Sequence, residues 1–238
     1  MYFSLDKDNE IVKAPDLIDQ DGFFETMYFN GTRFPLKSYH LERVAKSLFR
    51  KNTLPVDIIS PIEKRLQSLN NTLRVRVDYY VINKEVKVEL RFCKYAPKAD
   101  RFSVDFLQIE SLNNEYNLKK QHRSTYHKAF EWAKENHLNE VILTDKNDEL
   151  LEGSFTNIFL LKDDRIYTPP LSIGIVGGCF RRLLTGQPFV KVKTLTKKDY
   201  INADEIFLTN ALRGITPVKT SEDSVVMQLL DKFSLDKI

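Results

Sequence analysis

A chain of 238 residues, 42% of them hydrophobic, is long enough to bury a sizeable core, as one large domain or two small ones. Its 36 basic and 33 acidic residues leave a net charge of +3, spread along the chain without a polybasic tail or stripe, so nucleic acid is not expected as a partner. The N-terminus, Met1-Tyr2-Phe3-Ser4-Leu5-Asp6-Lys7-Asp8, lacks a basic and then apolar leader, and no run of about 18 apolar residues occurs. No membrane association is expected, and a cytoplasmic location is. Cys93 and Cys179 lie far apart without metal-like spacing, so neither a disulfide framework nor a metal site is expected.

In chain order, aromatic-rich Gly22 to Phe29 predicts a strand, and Asn30-Gly31 before Thr32-Arg33-Phe34 predicts a hairpin. Ser38 is a candidate cap for a helix from about Tyr39 to Phe49, with Leu41, Val44, Leu48 and Phe49 on its apolar face. Pro61 to Leu69 predicts a second helix. Leu73 to Val81 and Glu85 to Tyr95 alternate apolar with polar residues around Asn83-Lys84, as paired strands do. Leu107 to Asn117 shows no periodicity and reads as interdomain chain, giving an N-terminal lobe at 1–108, a linker at 109–117 and a C-terminal lobe at 118–238.

The second half predicts a helix from about Ser124 to Asn136, strands at Glu140 to Thr144 and Phe155 to Leu161, and turns at Lys146-Asn147-Asp148 and Asp163-Asp164. Arg165-Ile166-Tyr167 follows. A glycine-rich segment, Gly174-Ile175-Val176-Gly177-Gly178-Cys179-Phe180-Arg181, opens a helix through Leu184. Strands at Phe189 to Val192 and Glu205 to Leu208 and a helix at Ser224 to Phe233 complete the chain. Without regular βαβ alternation, this order predicts an α+β protein.

The chemistry concentrates in Leu118-Lys119-Lys120-Gln121-His122-Arg123 and, 33 positions after Lys119, in Glu152 of Leu151-Glu152-Gly153-Ser154-Phe155-Thr156-Asn157. A lysine that can react as a free amine and a carboxylate that keeps a pyridine nitrogen protonated are the two needs of a pyridoxal-phosphate site. The glycine-rich helix start offers the third, a phosphate cradle. Lys120 and Lys128 are rival lysines.

Seven segments, in order over roughly positions 20 to 218, carry a family resemblance: Phe24-Glu25-Thr26; His40-Leu41-Glu42-Arg43; Lys119 with Arg123; Glu140 to Asp145; Glu152-Gly153-Ser154 with Asn157; Thr168-Pro169-Pro170 with Gly177-Gly178; and Thr209-Asn210-Ala211-Leu212-Arg213-Gly214-Ile215. Together they resemble the class IV pyridoxal-phosphate enzymes, which include branched-chain and D-amino-acid aminotransferases and 4-amino-4-deoxychorismate lyases. The resemblance implies a two-lobed fold, with a small N-terminal α/β sandwich lobe and a larger C-terminal lobe with an open β-barrel-like core. It also implies a homodimer acting on a small-molecule substrate, with pyridoxal 5'-phosphate as cofactor.

Carried onto this sequence, the resemblance makes Lys119 the Schiff-base lysine and proton shuttle, and Glu152 the partner of the pyridine nitrogen. Arg43 becomes the phosphate-binding arginine, the backbone amides around Cys179 and Phe180 further phosphate donors, and Asn210 a second polar phosphate contact. Asn157 matches the family beside Glu152. Thr26 sits where the lyases carry a threonine proposed to aid proton transfer, and the segment from Thr209 to Ile215 is more similar to the lyases than to the aminotransferases. The expected activity is therefore conversion of 4-amino-4-deoxychorismate to 4-aminobenzoate and pyruvate, with an aminotransferase for branched-chain or D-amino acids as the alternative. The lyases' Gly-rich, Arg-containing stretch is replaced here by Asp78-Tyr79-Tyr80-Val81-Ile82, leaving Arg74, Arg76, Arg91 and Arg213 as candidate cations for substrate carboxylates.

Overall fold

The computed structural model describes residues 4–5, 11–12, 22–96, 101–112, 117–121, 123–221 and 224–238. They fall into two compact units, Met1–Pro97 with Leu118–His122 and Ile238, and Lys98–Asn117 with Arg123–Lys237.

The first unit begins with a short antiparallel pair, β1 (Ser4–Leu5) and β2 (Ile11–Val12). Its main sheet is antiparallel, in the order β3 (Phe23–Asn30), β4 (Thr72–Ile82), β5 (Glu85–Lys94). Side chains alternate across such a sheet. Phe23, Met27 and Phe29 of β3 join Leu73, Val75, Val77 and Tyr79 of β4 and Val88 and Leu90 of β5 in one core. Helices α1 (Lys37–Arg50) and α2 (Ser60–Leu66) close that core with Val44, Leu48, Ile62 and Leu66. Each fully buried aliphatic or aromatic side chain contributes roughly 1.5–3 kcal/mol to folding.

Three local expectations need correction. Asn30 does make the turn, its Oδ1 accepting from the Thr32 and Arg33 amides at 3.1 and 2.9 Å, yet no return strand follows. Pro35 cannot donate to a ladder, and Phe34 turns inward against Phe29, so β3 pairs with β4 instead. Helix α1 starts before Ser38, with Leu36 as an uncapped N-cap. Its buried face is His40, Arg43, Val44, Ser47 and Leu48, while Phe49 is 70% exposed. The β4–β5 hairpin forms as expected, with Asn83 and Lys84 both at positive φ, as a type I′ turn requires.

The second unit has two sheets, neither closed into a barrel. One has the order β6 (Val104–Gln108), β7 (Glu140–Thr144), β8 (Leu150–Gly153). The other has the order β11 (Val190–Val192), β10 (Arg165–Thr168), β9 (Asn157–Lys162), β12 (Glu205–Asn210), β13 (Gly214–Lys219). Ile142 and Leu150 of the first sheet share a core with Ile158, Leu160, Ile206 and Leu208 of the second. Val141 and Leu143, on the opposite face of β7, pack with Tyr126, Ala129 and Ala133 of α3 (Ser124–Glu135). Burial on both faces explains the unbroken apolar run in β7. Helices α4 (Cys179–Thr185), α5 (Lys197–Asn202) and α6 (Val225–Lys232) complete the unit.

This division differs from the expected lobes at 1–108 and 118–238 with a linker at 109–117. Residues 104–108 form a strand parallel to β7 and so group with the second unit. Residues 118–121 return to the first unit, where they run along the free edge of β3. The Phe24 amide donates to the Lys119 carbonyl at 3.0 Å and the Gln121 amide to the Gly22 carbonyl at 2.9 Å.

Candidate active site

In the first unit, the ladder to β3 fixes the backbone at Lys119. Its Nζ lies over the Phe24 ring, 4.6 Å from the centroid, and the Arg76 guanidinium lies over the same ring at 3.9 Å. Lys120 sits one position on, bridging to Phe23, and Lys128 is an exposed residue of α3. Thr26, buried, lies two residues beyond Phe24 and so on the same face of β3, opposite Arg76 in register.

The other face of β3 carries Glu25, fully buried. Its Oε1 accepts from Arg43 Nε at 2.8 Å, its Oε2 from the other end of the same guanidinium, and His40 Nδ1 lies 2.6 Å from Oε2. His40 and Arg43 are three apart on α1 and therefore share a face. Burial alone would raise the Glu25 carboxyl. The fork of Arg43 and the His40 contact outweigh it and hold the group down at about 2. Arg43 is thus oriented by a fork-to-carboxylate pair, the geometry that suits arginine to anions.

Two of the four candidate carboxylate cations are tied to Asp78. Arg76 donates to Asp78 through Nε and Nη2, Arg91 donates through Nη2, and Gln121 Nε2 adds a contact at 3.2 Å. Arg74 is exposed and Arg213 lies over the Phe102 ring.

In the second unit, Glu152 on β8 is 2% exposed. Its Oε1 accepts from Tyr126 Oη at 2.5 Å and from the Val176 amide at 2.8 Å, and its Oε2 accepts from Asn157 Nδ2 at 3.0 Å. Burial pushes this carboxyl up to about 7, against the opposing pull of Arg123, the Tyr126 and Val176 hydrogen bonds and Arg181. A carboxylate so poised is stabilised by a cationic partner and in turn favours protonation of a nearby nitrogen.

Asn157 bonds to Glu152 and to the Val176 carbonyl. Gly178 leaves room for it: a Cβ there would meet Asn157 Oδ1 at 2.1 Å. Cys179 and Phe180 open α4 directly after Gly178, both buried. Asn210 ends β12, where its Oδ1 accepts from the Leu212 and Arg213 amides at 2.9 and 2.8 Å, leaving Nδ2 as the donor it can offer. Two more donors are orphaned: Thr209 Oγ1 on β12 and Arg181 Nε on α4 are buried without a hydrogen-bond partner among the described residues, on elements that pack together. Buried donors without partners are costly, and an anionic group would satisfy them. A cofactor with a basic ring nitrogen and a phosphate therefore fits the residues present.

Sequence reasoning assigned no role to Glu25, His40, Tyr126, Arg123, Arg181 or Thr209. The i, i+3 spacing of His40 and Arg43 was a legible signal for the first pair. Tyr126 and Glu152 are 26 residues apart, and nothing local links them.

The sequence profile described as Amino-transferase class IV matches residues 22–220, and the chain belongs to that family of pyridoxal-phosphate enzymes. Its cofactor is pyridoxal 5'-phosphate. Over 85 residues it is 35% identical to a Thermotoga maritima protein named "Probable branched-chain-amino-acid aminotransferase", a match covering 34% of this chain and 31% of that one. Over 84 residues it is 30% identical to a Vibrio harveyi protein named aminodeoxychorismate lyase, covering 33% and 31%. These matches thus span about a third of each relative. A hypothetical aminotransferase from Mycobacterium tuberculosis in its PLP-bound form shares the fold, with a TM-score of 0.81, 16% identity and coverage of 98% of this chain and 97% of the other.

Proposed function

We propose that this enzyme is a lyase converting 4-amino-4-deoxychorismate to 4-aminobenzoate and pyruvate, with the aminobenzoate passing to folate synthesis. The observation that carries the reading is Lys119 Nζ over the Phe24 ring, with Thr26 next along the same face of β3. Bound pyridoxal phosphate supplies the electron sink that makes the hydrogen on the amine-bearing carbon removable. With the substrate amine held at the cofactor, Lys119 Nζ would take that proton. Thr26 Oγ1 passes a proton to the oxygen of the departing enolpyruvyl group, whose bond to the ring breaks as the ring becomes aromatic. Glu152, steadied by Asn157, holds the proton on the ring nitrogen. Arg43, the amides of Cys179 and Phe180, and Asn210 Nδ2 hold the phosphate. The enzyme works as a homodimer in the cytoplasm, an assembly that sedimentation velocity checks.

A second reading, an aminotransferase for branched-chain or D-amino acids, uses the same cofactor residues and is favoured by the named aminotransferases among the relatives. One experiment separates the two. Incubation with 4-amino-4-deoxychorismate should yield fluorescent 4-aminobenzoate, and Lys119→Ala should abolish both product and the visible cofactor band. A yellow protein that makes no product, but whose band is converted by an amino acid, would replace the lyase with the aminotransferase.

A further inference from the structure

An ionised carboxylate offers about four acceptor sites, two on each oxygen. In Glu152 both sites of Oε1 are taken, by Tyr126 Oη and the Val176 amide, whereas among the described residues Oε2 takes only Asn157 Nδ2. Val176 is held by its backbone, and Asn157 by its second bond to the Val176 carbonyl. Tyr126 is held by packing: it is buried on α3, and the Arg123 guanidinium lies 3.5 Å from its ring centroid. Burial and the nearby Glu152 charge push the Tyr126 phenol far up, so it keeps its proton and remains a donor. The cations facing Glu152 are Arg123, just before α3, and Arg181 from α4.

Resting on the reading of Glu152 as the carboxylate for the cofactor's ring nitrogen, we propose that Tyr126, clamped by Arg123, is a positioning residue. Its hydroxyl fills Oε1 and leaves Oε2, with one open acceptor site, as the oxygen that serves that nitrogen. Tyr126 itself touches neither cofactor nor substrate in this role. Removing the hydroxyl frees the carboxyl to rotate and makes its charge harder to keep in a buried setting. The cofactor's ring nitrogen then holds its proton less firmly, and the optical properties of the bound cofactor change.

The test is a spectrophotometric pH titration of the visible band in the cofactor-loaded full chain, comparing wild type with Glu152→Gln, Tyr126→Phe and Arg123→Gln. Glu152→Gln should displace the midpoint. Tyr126→Phe should displace it in the same direction by about half a pH unit or more, and Arg123→Gln by less. A purely structural Tyr126 would lower the melting temperature without moving the midpoint. A midpoint moved by Glu152→Gln but by neither of the other variants overturns the role of Tyr126 and leaves that of Glu152 standing. A midpoint unmoved by Glu152→Gln overturns both. Should Tyr126→Phe fail to fold, Arg123→Gln decides alone: displacement in the Glu152→Gln direction supports the clamp, and none overturns it.

Discussion

Glu25 and Glu152 are both buried glutamates, and their neighbours drive them to opposite ends of the carboxyl range. Burial raises both, but Glu25 faces the full fork of Arg43 and is held at about 2, whereas Glu152 has only neutral donors in contact and rises to about 7. The signs for stability follow. A carboxyl lowered in the folded state stabilises it above its ordinary value near 4.5, and that contribution is lost as pH falls through about 2. Glu25→Gln should therefore flatten the loss of stability between about pH 4.5 and 2, as read by urea unfolding at a series of pH values. A carboxyl raised in the folded state favours that state below 4.5 and loses its contribution as pH rises through about 7. The cofactor-free protein should accordingly lose stability over that window, and Glu152→Gln should remove the slope. Glu25→Ala leaves Arg43 buried without its anion and should cost about 3 kcal/mol in denaturant unfolding.

At the scale of elements, the turn between β4 and β5 and the start of α4 have opposite tolerances for a side chain. Lys84 is held at φ 65°, a conformation that disfavours every side chain with a Cβ. Lys84→Gly should raise the urea midpoint by an amount equivalent to about 0.5 kcal/mol. Gly178→Ala pushes into Asn157, and through it Glu152, and should weaken cofactor binding about tenfold, or 1.4 kcal/mol, by fluorescence titration. The same two places show what can be read from sequence. Asn83-Lys84 between alternating strands announces its hairpin because register and turn are local, and the strand at Glu140 to Thr144 appears as expected. The strands β6, β8 and β13 and the helix α5 went unread, because short segments held by long-range pairing carry little periodicity. Among the candidate residues, motif spacing pointed to Lys119 and Glu152. The partners that set Glu152, Tyr126 and the Val176 amide, lie 26 and 24 residues away and are joined to it only by the fold.

For the whole molecule, the cofactor is part of the stability. The buried donors Thr209 Oγ1 and Arg181 Nε have no partner among the described residues, and Glu152 carries an elevated carboxyl; a ligand that satisfies such groups binds only the folded chain. At a free concentration one hundred times its dissociation constant it adds about 2.7 kcal/mol. For a chain of this length that corresponds to a rise in melting temperature of about 5–10 °C, measurable by calorimetry with and without pyridoxal phosphate. No helix of the described residues is long and apolar enough to cross a membrane.

The short ladder between residues 118–121 and β3 also bears on synthesis. Translation delivers residues at about 5–20 per second, and domains tend to fold as they emerge. When β5 leaves the ribosome the first unit has its sheet and helices, yet the outer edge of β3 still exposes unpaired amides and carbonyls. Such an edge invites pairing with other chains. The nascent protein must wait for β6, which groups with the second unit, before residues 118–121 arrive to pair with the first residues of that edge. Lys119 is thus tied into the sheet by the same short stretch that pairs part of the open edge of β3.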